Sequence, residues 1–299
     1  MTVSAHPFKA MLWKLLDSMI LSVLLLLGTV LATESNPLQV VFLVNLLATT
    51  FALLFCSGGQ WQRIKPAKPA LHLIRGVLGV SSTVCLLSAL KYLQVAEVTA
   101  ISFLTPACTA VLAIRLLGEQ IRRSDVLVLV FNLAGVLLML VPELAETPQA
   151  MDQQRWPGII FCLLAVVLLV IYNLNLKKIG EQDTVVAQMV FGPFCSAALL
   201  LPLMYWWWQP LSLQACGLLL LYSALLTVKL AARYWSFRLS PLSQLMPLEY
   251  SQLLFSAGLA YLLLGQSLGW VAMVGMLLIM ASSLVHLWRQ RQSSMAQRI

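Results

Sequence analysis

Apolar residues run along this chain in long stretches, and polar residues gather in short segments between them. A helix rises 1.5 Å per residue and the hydrocarbon core of a bilayer is about 30 Å thick, so one crossing takes roughly 17–25 apolar residues. Ten stretches fit: 11–32, 38–56, 70–90, 96–117, 124–141, 157–176, 185–205, 211–232, 241–263 and 268–287. The joints hold helix breakers, among them Asn36-Pro37, Gly58-Gly59, Trp156-Pro157, Gln209-Pro210 and Ser240-Pro241. The pattern predicts an all-α integral membrane protein of ten transmembrane helices.

The pattern also repeats. Displacing the chain by 147 residues lays the first five stretches on the last five, and Ala110–Gly118 falls on Ala257–Gly265 with six of nine residues identical. Five crossings per half is an odd number, so the second half enters the membrane in the opposite sense. The expected organisation is two inverted five-helix repeats, 11–141 and 157–288. They are joined by an extracytoplasmic connection, 142–156, and flanked by cytoplasmic termini, 1–10 and 289–299. Inverted repeats around a central site suit alternating access, because exchanging the two half-conformations swaps the open side.

Composition agrees. Of 299 residues, 60% are apolar and 10% charged, against about 25% charged in soluble domains, and the mean hydropathy is +0.88. The net charge of +8 would suggest a nucleic-acid partner in a soluble protein. Here it reads instead as membrane topology. With the N-terminus in the cytoplasm, 16 of the 19 basic residues fall on the inner side, only Lys91 and Arg155 on the outer, and Lys229 inside a span. The nine tryptophans fall near helix ends, as interfacial anchors do. The first stretch is too long for a signal-peptide core and reads as a retained span. The expected location is a bacterial cytoplasmic membrane.

The six cysteines are scattered singly and read as packing residues. His6, His72 and His286 stand apart, and the chain has no HExxH, no GxSxG and no Gly-rich phosphate loop. No enzyme, no metal site and no cofactor is expected, and the missing nucleotide-binding domain argues against ATP-driven pumping by this chain alone.

The stretch Ala89-Leu-Lys-Tyr-Leu-Gln-Val-Ala-Glu97, with Thr105-Pro106 and Leu116-Leu-Gly-Glu119, resembles the EamA domain of the drug/metabolite transporter superfamily. So does Arg238-Leu-Ser-Pro-Leu-Ser-Gln-Leu-Met-Pro-Leu-Glu-Tyr250 followed by Leu263-Leu-Gly-Gln266, although Gln266 replaces the closing glutamate and Leu253 stands where the first half has Pro106. The resemblance implies a ten-helix basket working by alternating access, as a monomer or homodimer, on a small-molecule substrate. The expected function is export of a small polar, amino-acid-derived metabolite (an amino acid or an opine-type metallophore), driven by protons or by the substrate gradient. Uptake or exchange of S-adenosylmethionine or a nucleotide-linked metabolite is the alternative, and a lipid-carrier flippase a further one.

Ionisable groups inside spans need partners or a water-filled cavity. Asp17, Arg75, Lys229 and Glu249 are therefore the candidates for substrate binding or proton coupling, and their formal charges cancel. Glu249 is expected about eight residues into its helix, close after Pro241 and Pro247, either binding a substrate ammonium or proton, or paired with Lys229 or Arg75. Asp17 can pair with Lys14 one turn earlier, and Lys229 can snorkel toward the inner surface. Tyr222, Asn45, Ser82 and Gln188 are candidates for lining a cavity. Lys91 and Glu97 read as an interfacial pair.

Overall fold

The structure, a computed structural model, describes residues 7–34, 36–56, 64–89, 92–93, 95–119, 123–145, 156–264 and 269–296. Lys91, the connection 146–155, and Gly265 and Gln266 of the second motif lie outside the described residues, and Glu97 is described only in its backbone.

The elements, in order, are α1 (Pro7–Glu34), α2 (Pro37–Cys56), α3 (Pro69–Ala89), α4 (Val95–Ser102), α5 (Leu104–Leu117), α6 (Arg123–Ala145), α7 (Trp156–Gln182) and α8 (Val185–Leu200). Then follow α9 (Met204–Trp207), α10 (Leu213–Leu239), α11 (Leu242–Leu245), a tight turn Met246–Tyr250, α12 (Ser251–Leu264) and α13 (Trp270–Ala296). Among the described residues, six helical segments are long and apolar enough to cross a membrane: Phe8–Gly28, Pro37–Leu54, Pro69–Ala89, Trp156–Gln182, Val185–Trp207 and Leu213–Leu239. The chain is thus an all-helical, multi-pass membrane protein.

Three of the ten expected spans are not continuous α-helices; one, 185–205, passes through a tight turn at Leu201–Leu203, which holds Pro202. The stretch 96–117 breaks at Phe103, between α4 and α5, and 241–263 breaks at the turn Met246–Tyr250. Pro106 and Pro247 lie at these breaks. A proline has no amide hydrogen to donate and crowds the preceding turn, so the ladder is interrupted there. Other elements outrun their apolar stretches, among them α7, which continues to Gln182, α10 to Leu239 and α13 to Ala296. The extension of α10 puts Arg233 inside a helix instead of in a connection.

The interior holds charged and polar side chains within an apolar core, and the outside is apolar. Lys14, Asp17, His72, Arg75 and Gln188 are buried, while Leu54, Leu116, Ile160 and Leu262 are exposed. In water that arrangement would be unstable; in lipid the exposed apolar side chains are solvated and the polar ones are sheltered. The principal packings are α1 on α10, α3 on α7, α6 on α13, α2 on α8, α3 on α8 and α2 on α10.

Local chemistry fixes the ends that frame the interior. Thr184 caps α8 by accepting from the Ala187 N–H at 3.1 Å, and Ser212 caps α10 by accepting from Ala215 at 3.0 Å. Gly118 closes α5 at φ +67°, a left-handed conformation that suits glycine. The turn sends Glu119 across to α11, where its two carboxylate oxygens accept from the N–H groups of Leu242 at 2.9 Å and Ser243 at 2.8 Å. Lys177 of α7 donates to the carbonyls of Phe237 and Ser240 at the end of α10, where the helix dipole favours a cation.

Candidate functional site

Lys14 and Asp17, three residues apart, share one face of α1; Lys229 and Arg233, four apart, share one face of α10. Packing α1 against α10 brings the two faces together. The Lys14 ammonium lies 2.8 Å from Asp17 Oδ2 and 3.2 Å from Glu249 Oε1. Arg233 bridges the same two carboxylates from the other side, with Nε 3.1 Å from Asp17 Oδ2 and Nη2 3.0 Å from Glu249 Oε1. Lys229 completes the group at 3.5 Å from Asp17 Oδ1. Two carboxylates thus sit among three cations. Removing this many charges from water is costly, and the mutual pairing offsets the cost.

Arg75 occupies the opposite wall, on α3. Its Nη2 donates to the Gln188 carbonyl and to the Tyr234 hydroxyl, both at 3.0 Å, and its guanidinium lies 5.2 Å from the Tyr234 ring centroid. Among the described residues no carboxylate lies within ion-pair distance of it, and its Nη1 is buried with no hydrogen-bond partner. Gly192 of α8 makes the space: a Cβ there would stand 1.0 Å from Arg75 Nη2. Behind it, the Asp183 carboxylate fastens the start of α3, with Oδ2 2.7 Å from the His72 ring Nε2 and Oδ1 accepting from the Ala67 N–H at 2.6 Å.

Between the two walls lies a cavity of about 260 Å³ enclosed by α2, α3, α7, α8 and α10. Arg75, Lys229 and Arg233 reach its surface, with Tyr172 and Tyr234, whereas Asp17 and Glu249 lie behind the cations and do not line it. Asn45, Ser82 and Thr83 also face it. Each donates to its own helix, Asn45 to the Val41 carbonyl at 2.7 Å and the two hydroxyls to the Gly79 carbonyl at 2.8 and 2.9 Å, which leaves their oxygens to accept from a ligand.

The structure therefore brings four of the expected residues, Asp17, Lys229, Glu249 and Arg75, to one region, but in different pairings. Glu249 pairs with Lys14 and Arg233, not with Lys229 or Arg75, and it stands in the turn Met246–Tyr250 instead of a regular helix. Lys229 turns inward to Asp17 and does not snorkel. Asn45 and Ser82 line the cavity. Tyr222 does not, because it lies beyond Leu226, where the cavity ends, against Gly28 of α1. Gln188 contributes its backbone carbonyl to Arg75, while its amide donates to the Asp183 carbonyl at 3.5 Å.

Arg233, Tyr172 and Tyr234 were not legible as site residues. The spacing 226, 229, 233 would have put Arg233 on the same α10 face as Lys229, and two cations on one intramembrane face call for the two carboxylates that the sequence offers elsewhere.

A helical membrane protein with a polar cavity walled by charged side chains has the construction of a solute transporter. The chain belongs to the EamA-like transporter family, whose model matches it twice, over residues 8–141 and 156–288. It is 23% identical over 285 residues to an S-adenosylmethionine uptake transporter of Rickettsia prowazekii (strain Madrid E), covering 94% of this chain and 93% of the relative. A protein of the same description from Rickettsia bellii (strain RML369-C) is 20% identical over 263 residues, 88% of each chain. A crystal structure with 18% sequence identity superposes with a TM-score of 0.77 over 94% of this chain and 98% of the other, which establishes the shared fold.

Proposed function

We propose that the protein takes up S-adenosylmethionine, or a similar metabolite joining a nucleoside to an amino acid, by alternating access between two inverted halves. The observation that carries this reading is the cavity. Its walls come from α2 and α3 in one half and α7, α8 and α10 in the other, so relative motion of the halves would open it to alternate sides. Its contents suit the molecule: cations for a carboxylate, free hydroxyl and amide oxygens for an ammonium, and two tyrosine rings for an adenine or a sulfonium. At about 260 Å³ it is close to the lower end of the roughly 300–1,000 Å³ of small-molecule sites.

The packing supports the inverted repeat. Under the 147-residue displacement α1 on α10 becomes α7 on α3, α3 on α8 becomes α10 on α2, and the pairs α2–α8 and α6–α13 map onto themselves. The breaks at Phe103 and Met246–Tyr250 also correspond, which favours a binding region near them. The inner-side bias of Lys and Arg supports cytoplasmic termini.

The sequence alone favoured export of an amino-acid-derived metabolite; the relatives' described activity favours uptake. Substrate-gradient or exchange driving is preferred over proton coupling, because Asp17 and Glu249 are each shared between cations, and neutralising either would leave a single carboxylate among Lys14, Lys229 and Arg233.

The test is uptake of radiolabelled S-adenosylmethionine by proteoliposomes. Saturable uptake, accelerated by unlabelled compound inside and insensitive to a protonophore, is the expected result. No uptake above protein-free liposomes, with saturable movement of a labelled amino acid, would return the reading to amino-acid export.

A further inference from the structure

Lys229 and Arg233 reach the cavity, but both also face carboxylates of the adjoining ion cluster. Arg75 differs from them. Its two acceptors, the Gln188 carbonyl and the Tyr234 hydroxyl, are neutral groups that orient the guanidinium without balancing its charge. It is 2% exposed, Nη1 is buried and unpartnered, and it borders the cavity. A buried cation without a counter-charge destabilises a fold unless something supplies one. Around the cavity Lys14, Arg75, Lys229 and Arg233 face Asp17 and Glu249, while the Asp183 carboxylate behind Arg75 is engaged by His72 and the Ala67 N–H.

An arginine serving only to tie α3 to α8 and α10 would have no need of an unpartnered Nη1 in a side chain that borders a cavity. The clearance at Gly192 also bears on this. It admits the whole guanidinium between α3 and α8, where the plane of the group is held by Nη2 on one edge and by the Tyr234 ring nearby. Such a preset guanidinium binds an oxyanion with less ordering cost than a mobile lysine would.

We propose that Arg75 is the anion receptor of the cavity, its free Nη1 donating to a carboxylate or phosphoryl oxygen of the transported molecule, with Tyr234 and Gln188 as its positioning residues. The inference deepens the uptake reading and rests on it for the location of the substrate, but its test separates the two.

The experiment measures ligand binding to the purified full-length protein in nanodiscs, by competition and by thermal shift. The ligands are S-adenosylmethionine, its decarboxylated analogue, AMP, inorganic phosphate and glutamate. Wild type is expected to bind S-adenosylmethionine at least tenfold more tightly than the decarboxylated compound. In Arg75→Gln that preference should vanish: affinity for the carboxylate form falls tenfold or more, while the decarboxylated form changes less than twofold. Gly192→Ala is the second variant, in case Arg75→Gln does not fold. It retains the arginine but puts a methyl where the guanidinium lies, and should lose the same preference. Arg75→Lys is expected to restore part of it.

Preference for the carboxylate that persists in Arg75→Gln or Gly192→Ala overturns the assignment, as does an equal loss of both adenosyl ligands in a folded variant. Binding of AMP, phosphate or glutamate that depends on Arg75, without binding of either adenosyl compound, sinks the S-adenosylmethionine reading and leaves the anion receptor standing. If none of the five ligands binds in an Arg75-dependent way, the inference fails.

Discussion

The Tyr250 hydroxyl donates to the Phe103 carbonyl at 3.0 Å, and the two rings stack with centroids 5.7 Å apart. The residues stand 147 positions apart, the offset at which the chain repeats, and each sits at a helix break. Under the proposed inverted repeat, equivalent residues that touch each other lie on the axis relating the halves. Tyr250→Phe keeps the ring and removes one buried hydrogen bond, so a loss of about 1 kcal/mol is expected. Tyr250→Ala also removes the ring, and about 3–5 kcal/mol is expected. Thermal unfolding in detergent ranks the three proteins; equal stability of the two variants would mean that the stacked rings contribute nothing.

Arg233 joins Asp17 to Glu249 from α10, and truncating it leaves the buried Asp17 and the partly buried Glu249 dependent on Lys14 and Lys229. Breaking a buried pair from one side costs about 3–5 kcal/mol, so Arg233→Gln should be strongly destabilising. Combining it with Glu249→Gln removes one of the abandoned carboxylates. The double variant should be more stable than the sum of the singles by roughly 0.5–3 kcal/mol. Strict additivity in the thermal-unfolding data would show that the two side chains are not coupled.

Lipid makes most of this fold legible, because a crossing has a minimum length and an apolar surface whatever its neighbours do. The breaks at Phe103 and Met246–Tyr250 were less so: Pro106 and Pro247 are visible in sequence, but a proline can either kink a helix or stop it, and packing decides. The charged residues mark the limit most clearly. Asp17 and Lys14 are one turn apart, so their contact is local and readable. Arg233 sits in Arg-Tyr-Trp-Ser-Phe-Arg, a stretch that looks interfacial by hydropathy, and its partner Asp17 lies 216 residues away. Nothing local distinguishes a topology-setting arginine from one neutralised by a distant helix. Tyr222 illustrates the converse: the repeat makes it the counterpart of Arg75, but equivalence under a two-fold displacement implies neither contact nor a shared cavity.

Helices α6 and α13 depend on a close approach at Gly135. A Cβ there would stand 2.6 Å from Ile279 Cγ1 and 2.8 Å from the Gly275 carbonyl oxygen, and the second of these is backbone that cannot rotate away. Gly135→Ala must therefore separate the helices, at about 1–3 kcal/mol for overpacking. It should lower thermal stability even though alanine is the better helix former. Adding Ile279→Val removes only the Cδ1 contact at 3.3 Å and keeps a γ carbon in the clash, so little recovery is expected. An unchanged or higher melting temperature in Gly135→Ala would show that this approach is not close.

Glu119 offers a test of how the two halves are fastened. Its carboxylate caps α11 through the Leu242 and Ser243 N–H groups, linking the end of α5 to an element of the other half. Glu119→Ala leaves both donors without this partner; cap removal costs about 0.5–2 kcal/mol, and 1–2 kcal/mol corresponds to roughly a 5–30-fold change in an opening equilibrium. Amide hydrogen exchange over residues 242–250 should speed up by about that factor, while α3 and α7 stay as protected as before. Glu119→Gln retains one side-chain oxygen as an acceptor and loses the charge, so it should fall between the two. If exchange in this segment is the same in all three proteins, Glu119 does not hold α11, and the closing Leu-Gly-Glu of the first half is needed only to end its own helix.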